Sequence, residues 1–192
     1  MNLRNMIGGT CITMMLAAGT THALAIDLML SGPAPDVGDE FTVDVVASGV
    51  FDGLDAADEL LGFGFDVVVD DPSVATFVGA DVLMPFVDLS ELFPDVDVAG
   101  GAFPGVPNQQ GNDVFTIAAL TFSAVGAGTT SLGIVSDTGS LNEGLIYLFN
   151  DPQDITSSFT IDVVEVHEPG ALGLIAGGSL MLVLLRAQRR RR

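Results

Sequence analysis

Along the middle of this chain, apolar and polar residues alternate with a period of two. Glu40–Ser48 sets Phe41, Val43, Val45 and Ala47 on one face and Thr42, Asp44 and Ser48 on the other. Such alternation marks a strand with one buried face. Residues 61–69 repeat the pattern, predicting Phe63, Phe65, Val67 and Val69 inward and Gly62, Gly64 and Asp66 outward. Further strands are predicted at 26–30, 74–78, 114–125 (bulged near Ala118-Ala119), 129–135, 145–149 and 158–166. Turns separate them, as at Asp70-Asp71-Pro72-Ser73, where proline presets the backbone and aspartate bonds locally. Eight or nine short strands without a convincing long helix predict a single all-β sandwich.

One segment breaks the rhythm. Residues 83–112 hold Pro85, Pro94, Pro104 and Pro107 with Gly100, Gly101 and Gly105. They read as a long functional or mobile loop with at most one helical turn at residues 88–93. Met84, Phe86, Leu92, Phe93 and Phe103 put apolar side chains on it, either to pack back on the sandwich or to meet a partner.

The two ends are patterned differently. Arg4 precedes an apolar stretch at residues 6–18, and Ala23-Leu24-Ala25 is a small-x-small cleavage site. Residues 1–25 therefore read as a secretory signal peptide with Ile26 first in the mature chain, and Thr21-His22-Ala23 as an alternative site. Cys11, the single cysteine, falls within that signal. At the other end, His167-Glu168-Pro169 leads into an apolar run at residues 170–185, a C-terminal hydrophobic helix. Five arginines follow it: Arg186, Arg189, Arg190, Arg191 and Arg192. Arginine beside an apolar helix stops transfer and stays cytoplasmic, because carrying its charge through hydrocarbon is costly. An ordinary single-pass anchor is the alternative, although the run is shorter than the ~20 residues a span needs.

Charge narrows the partners. All six basic residues lie in the two terminal segments, there is no lysine, and all but one of the 25 acids lie between them. An anionic body excludes nucleic acid and anionic membrane surfaces as partners, since both require cations against phosphate. It also repels itself, at a cost that salt reduces.

Chemistry narrows the activity. Residues 26–166 contain no His, Cys, Lys or Arg. Triad catalysis, zinc sites and phosphoryl transfer all need at least one of these. The expectation is no enzyme, with carboxylate-dependent glycan hydrolysis the alternative. Calcium fits the residue types better, because hard cations take several oxygen ligands. Asp52, Asp55, Asp58 and Glu59 crowd one loop as a candidate calcium site, and Asp95 and Asp97 in the long insertion make a second, with solvated, mutually repelling carboxylates as the alternative for each.

Two resemblances complete the reading. The tail from about residue 165 to 192 resembles the PEP-CTERM sorting signal of Gram-negative bacteria, with His167 where that family has its first proline. This implies processing by an exosortase-type protease, transient anchoring in the inner membrane and delivery to the envelope or extracellular matrix. The second lies in Asp36-Val37-Gly38-Asp39-Glu40-Phe41-Thr42-Val43, Leu61-Gly62-Phe63-Gly64-Phe65-Asp66-Val67 and Ala118-Ala119-Leu120-Thr121-Phe122-Ser123-Ala124. Their order and spacing resemble a cohesin-type domain over roughly residues 26–165. That implies a jelly-roll sandwich and a non-catalytic binding role, through protein or polysaccharide contact. The expected organisation is signal peptide 1–25, cohesin-like sandwich 26–165 and sorting tail 166–192.

Overall fold

The computed structural model describes residues 23–108 and 113–165. Most of the signal segment lies outside the described residues. So does the whole expected sorting tail, with the expected motif His167, Glu168 and Pro169 and the arginines expected to stop transfer, Arg186, Arg189, Arg190, Arg191 and Arg192. No helix among the described residues is long and apolar enough to cross a membrane.

The described chain is all-β, with strands β1 (Ala25–Leu30), β2 (Glu40–Ser48), β3 (Glu59–Val69), β4 (Ala75–Val82) and β5 (Val87–Asp88). After a 3-10 turn at Ser90–Leu92 come β6 (Val98–Pro107), β7 (Val114–Ala124), β8 (Gly128–Val135), β9 (Gly144–Tyr147) and β10 (Ser157–Val163). They form two antiparallel sheets, one ordered β1-β2-β7-β4 and the other β10-β8-β3-β6-β5, with β9 also pairing β3. From β2 to β8 the chain crosses repeatedly between sheets, the wrapping of a jelly-roll sandwich.

The core follows from the alternation. Val43, Val45 and Ala47 of β2 meet Ile117, Leu120 and Phe122 of β7 and Phe63 and Phe65 of β3, all essentially buried. Phe41 stacks on Phe122 at 5.6 Å between ring centroids. Fully burying a side chain of this size contributes about 1.5–3 kcal/mol. The predicted bulge in β7 is present, where the β2–β7 register shifts between Val45 and Val46, opposite Ala118 and Thr116.

Within residues 83–112, the described part, 83–108, departs from the expectation of a loop. Ten of them form β6, which pairs with β3 inside the second sheet, and two form β5 at its edge. Glycine and proline hid the strand. Gly100 and Gly101 leave no side chains to alternate, and residues 102–105 bulge out opposite Leu61, where Leu60 pairs Val106 and Gly62 pairs Gly101. The missing side chains serve packing. A Cβ on Gly100 would stand 2.5 Å from the Phe63 ring, and one on Gly101 2.5 Å from Leu89 Cδ1. The expected helical turn survives only as the 3-10 turn. Gly62 and Gly64, expected to face solvent, are at least half-buried, and a Cβ on Gly64 would strike the Asn142 carbonyl oxygen.

Candidate functional site

The acidic loop between β2 and β3 turns twice. Gly49 (φ +66°) and Gly53 (φ +77°) take left-handed conformations that side chains disfavour. Asp55 then folds back on its own turn, accepting from the Ala57 amide at 2.9 Å. Its backbone carbonyl accepts from the Asp58 amide at 3.0 Å. Asp58 points inward and is wholly buried. Its carboxylate accepts from the backbone amides of Glu59 (2.9 Å) and Phe149 (3.0 Å) and from the Asn150 side-chain amide. Its carbonyl accepts from the Asn108 amide at 3.1 Å. Asp58 therefore ties the loop to the ends of β6 and β9. Tyr147 reinforces the tie by donating to the Val50 carbonyl at 2.6 Å. Burial pushes the Tyr147 hydroxyl well above its ordinary range, and the nearby Asp58 charge adds to the shift.

Glu59 begins β3 with its side chain against Gly105. Asp52 is half-buried. Its Oδ2 has no hydrogen-bond partner and lies beside Gly49. The four acids thus share a loop but take separate surroundings. Among the described residues, no three or more His, Cys, Asp or Glu side chains gather as a metal ion needs.

Other carboxylates are also held by the chain's own donors. Asp97 accepts from the Val67 amide at 2.9 Å, while the Asp97 amide donates to Asp66 at 3.2 Å. Asp154 accepts from the hydroxyls of Thr156 (2.7 Å) and Ser136 (2.8 Å) and from the Thr156 amide (2.9 Å). The Thr156 hydroxyl, then that of Ser136, then the Thr156 amide hold its carboxyl below the ordinary range. The described residues contain no Lys, Arg or His, so none of these acids has a side-chain cation among them.

The apolar side chains of residues 83–108 divide. Phe86 packs inward, edge-on to Phe63 at 5.1 Å, and Phe93 is half-buried. Met84, Phe103 and Leu92 remain 90%, 85% and 70% exposed, with Val87 at 65%. Only one other large apolar side chain among the described residues, Leu141, is as exposed as these first three. Val87 pairs with Gly101, and the Phe103 ring lies near that glycine, which sets these two on the β5–β6 edge, with Met84 and Leu92 in the segments that flank β5. Sequence reasoning found Met84, Leu92 and Phe103 but not Val87, whose strand it did not recognise. Two concavities among the described residues lie elsewhere. One is a 490 Å³ open cleft between residues 31–35 and β2, lined by Asp39, Glu40 and Asp44 among others. The other is a 350 Å³ groove over β8 and β10.

No family model matches this chain, and no curated protein does. Solved structures do. One is the seventh ScaB type I cohesin from Pseudobacteroides cellulosolvens, at 12% identity and a TM-score of 0.41, covering 76% of this chain and 96% of that one. Another is a type II cohesin–X–dockerin complex from Acetivibrio cellulolyticus, at 13% and 0.41, covering 74% and 96%. A third is a type II cohesin domain from the cellulosome of the same organism, at 14% and 0.39, covering 76% and 93%. These values are too low to carry a partner or an activity across to this chain.

Proposed function

We propose that the protein is an exported, non-catalytic binding module of the cell envelope or extracellular matrix, acting in adhesion or scaffolding. The exposed apolar side chains Met84, Val87, Leu92 and Phe103, on β5, β6 and the segments around β5, carry this reading, because exposed apolar groups near one strand edge mark contact surfaces. The resemblance of residues 26–165 to cohesins agrees with it. The partner is an extracellular protein or polysaccharide. The signal segment directs export. The sorting tail holds the chain in the inner membrane, with Arg186, Arg189, Arg190, Arg191 and Arg192 on the cytoplasmic side, until an exosortase-type protease cuts near Glu168-Pro169. The absence of imidazole, thiol and ammonium side chains from residues 26–166 favours binding over catalysis.

The test is retention of the purified exported protein on matrix from the producing cells, with Met84→Ser and Phe103→Ser compared. Lost retention at an unchanged melting temperature supports these side chains as the contact surface. Unchanged retention moves the binding surface elsewhere. Release of reducing ends from matrix polysaccharide would instead establish the carboxylate-dependent enzyme.

A further inference from the structure

The Asp52 Oδ2 atom is buried and lacks a hydrogen-bond donor. It borders Gly49, as the Ala23 carbonyl does: a Cβ on Gly49 would stand 3.0 Å from Asp52 Oδ2, 2.8 Å from the Ala23 oxygen and 3.2 Å from the Ala23 carbonyl carbon. A buried carboxylate oxygen without a partner is costly. A cation would satisfy it, yet the described residues hold no Lys, Arg or His.

The chain can make one. The inward alternation of β1 starts before Ile26: Leu24, Ile26, Leu28 and Leu30 are all half-buried and pack on the core, while Ala23, Ala25, Asp27 and Met29 are exposed. Ala25 is already paired, opposite Ser48. Cleavage after Ala25 would discard that pair and the Leu24 contact. Cleavage after Ala23 keeps both.

We propose that export processing cuts the Ala23–Leu24 bond and that the α-ammonium released on Leu24 becomes the partner of Asp52. A signal-peptidase-type protease supplies the catalysis and water the atoms. The C–N bond breaks, the hydroxyl goes to the Ala23 carbonyl carbon, and the nitrogen stays on Leu24 and is protonated. Ala23 departs as a carboxylate. The ammonium nitrogen was bonded to the carbonyl carbon that borders Gly49, so it starts beside the glycine that Asp52 also borders, anchored by the packed Leu24 side chain. An α-amino group ordinarily titrates near 7.7–8.0, and a carboxylate partner keeps it charged.

This inference rests on the export reading, and the experiment separates their failures. The full-length precursor is expressed in an exporting host and the N-terminus of the product is sequenced. Leu24 is expected. An uncut chain starting at Met1 overturns export and the inference together, whereas a start at Ile26 leaves export standing and overturns the inference. The chain has no lysine, so an acetylating reagent finds the α-amine as its one amine. Acetylation is expected to lower the melting temperature of the wild type by several degrees and to leave Asp52→Asn unchanged. An equal drop in both overturns the pairing. Where Asp52→Asn folds poorly, acetylation rate decides: several-fold slower in the folded wild type than in urea supports the pair, and equal rates overturn it.

Discussion

In the middle of the first sheet, Val43 and Val45 of β2 and Ile117, Leu120 and Phe122 of β7 fill the core with side chains. In the middle of the second, Gly62 and Gly64 of β3 pair with Gly101 and Ala99 of β6, and Gly100 sits beneath Phe63. The first centre is stable through what it adds. The second depends on what it leaves out: a missing Cβ at Gly100 admits Phe63, one at Gly101 admits Leu89, and one at Gly64 admits the Asn142 carbonyl. The second sheet is therefore covered on both faces there, and β6, unlike its neighbour β3, carries no period-two signal.

The sharpest test of the filled centre is Phe122→Ala, which should cost about 4 kcal/mol by leaving a cavity between Phe41 and Phe77. Urea unfolding measures it. A loss of under about 1 kcal/mol would mean the two sheets do not interlock there.

Asp58→Ala comes next and joins the two regions, because Asp58 ties the acidic loop to strands of the second sheet. It leaves the partly buried Glu59, Phe149 and Asn150 donors without their acceptor and should cost about 2 kcal/mol. An unchanged unfolding midpoint would place those donors in water.

The emptied centre is tested by Gly64→Ala, where the new methyl meets a backbone carbonyl. The expected cost is about 2 kcal/mol, since overpacking forces the chain to shift. Gly79→Ala, with nothing within 4 Å of the added carbon, should cost less. Equal costs would erase the contrast between the two centres.

Acid asks whether groups outside both centres also matter. Asp154 is depressed in the folded state, so its contribution is present above the unfolded value of 3.8 and is lost as pH falls through the folded one. Asp71, held low by the Ser73 hydroxyl and amide, acts with Asp154. Neutralising the acidic body as a whole relieves repulsion and acts in the opposite direction. The melting temperature should therefore rise as pH falls from 7 to about 5 and drop at the acid end, below the ordinary carboxylate range. Thr156→Val should lower the midpoint at neutral pH and make the acid drop shallower.

Ions are expected to have the smallest effect. Sodium chloride should raise the midpoint as the Debye length falls from about 8 Å at 0.15 M to about 3 Å at 1 M. A calcium loop at Asp52, Asp55, Asp58 and Glu59 predicts a larger shift from calcium than from magnesium at equal ionic strength, abolished by Asp55→Asn. The hydrogen bonds already made by Asp58 predict equal shifts.

How far the sequence could be read follows the same division. The alternation of β2 yields its bounds to the residue, and that of β3 all but its first two positions. It fails at β6, because glycine and proline carry the turn signal wherever they stand and a strand of small residues has no faces to compare. Only the partner strand, some forty residues away in sequence, explains why Gly100 is empty. The acidic loop was found, but its internal division was not. The carboxylate of Asp58 is satisfied about ninety residues further on, by the Phe149 backbone amide, which leaves no mark in a sequence, and by the Asn150 side chain, whose approach only the fold reveals.

The cation-free body has a practical consequence. Trypsin cuts after lysine or arginine, and between Arg4 and Arg186 this chain offers neither. Routine peptide mapping would leave everything between those residues as a single fragment, too large to identify as an ordinary tryptic peptide. A survey of surface proteins by tryptic digestion would pass over this protein even where it is abundant, whereas a protease cutting beside aspartate or glutamate would divide it readily.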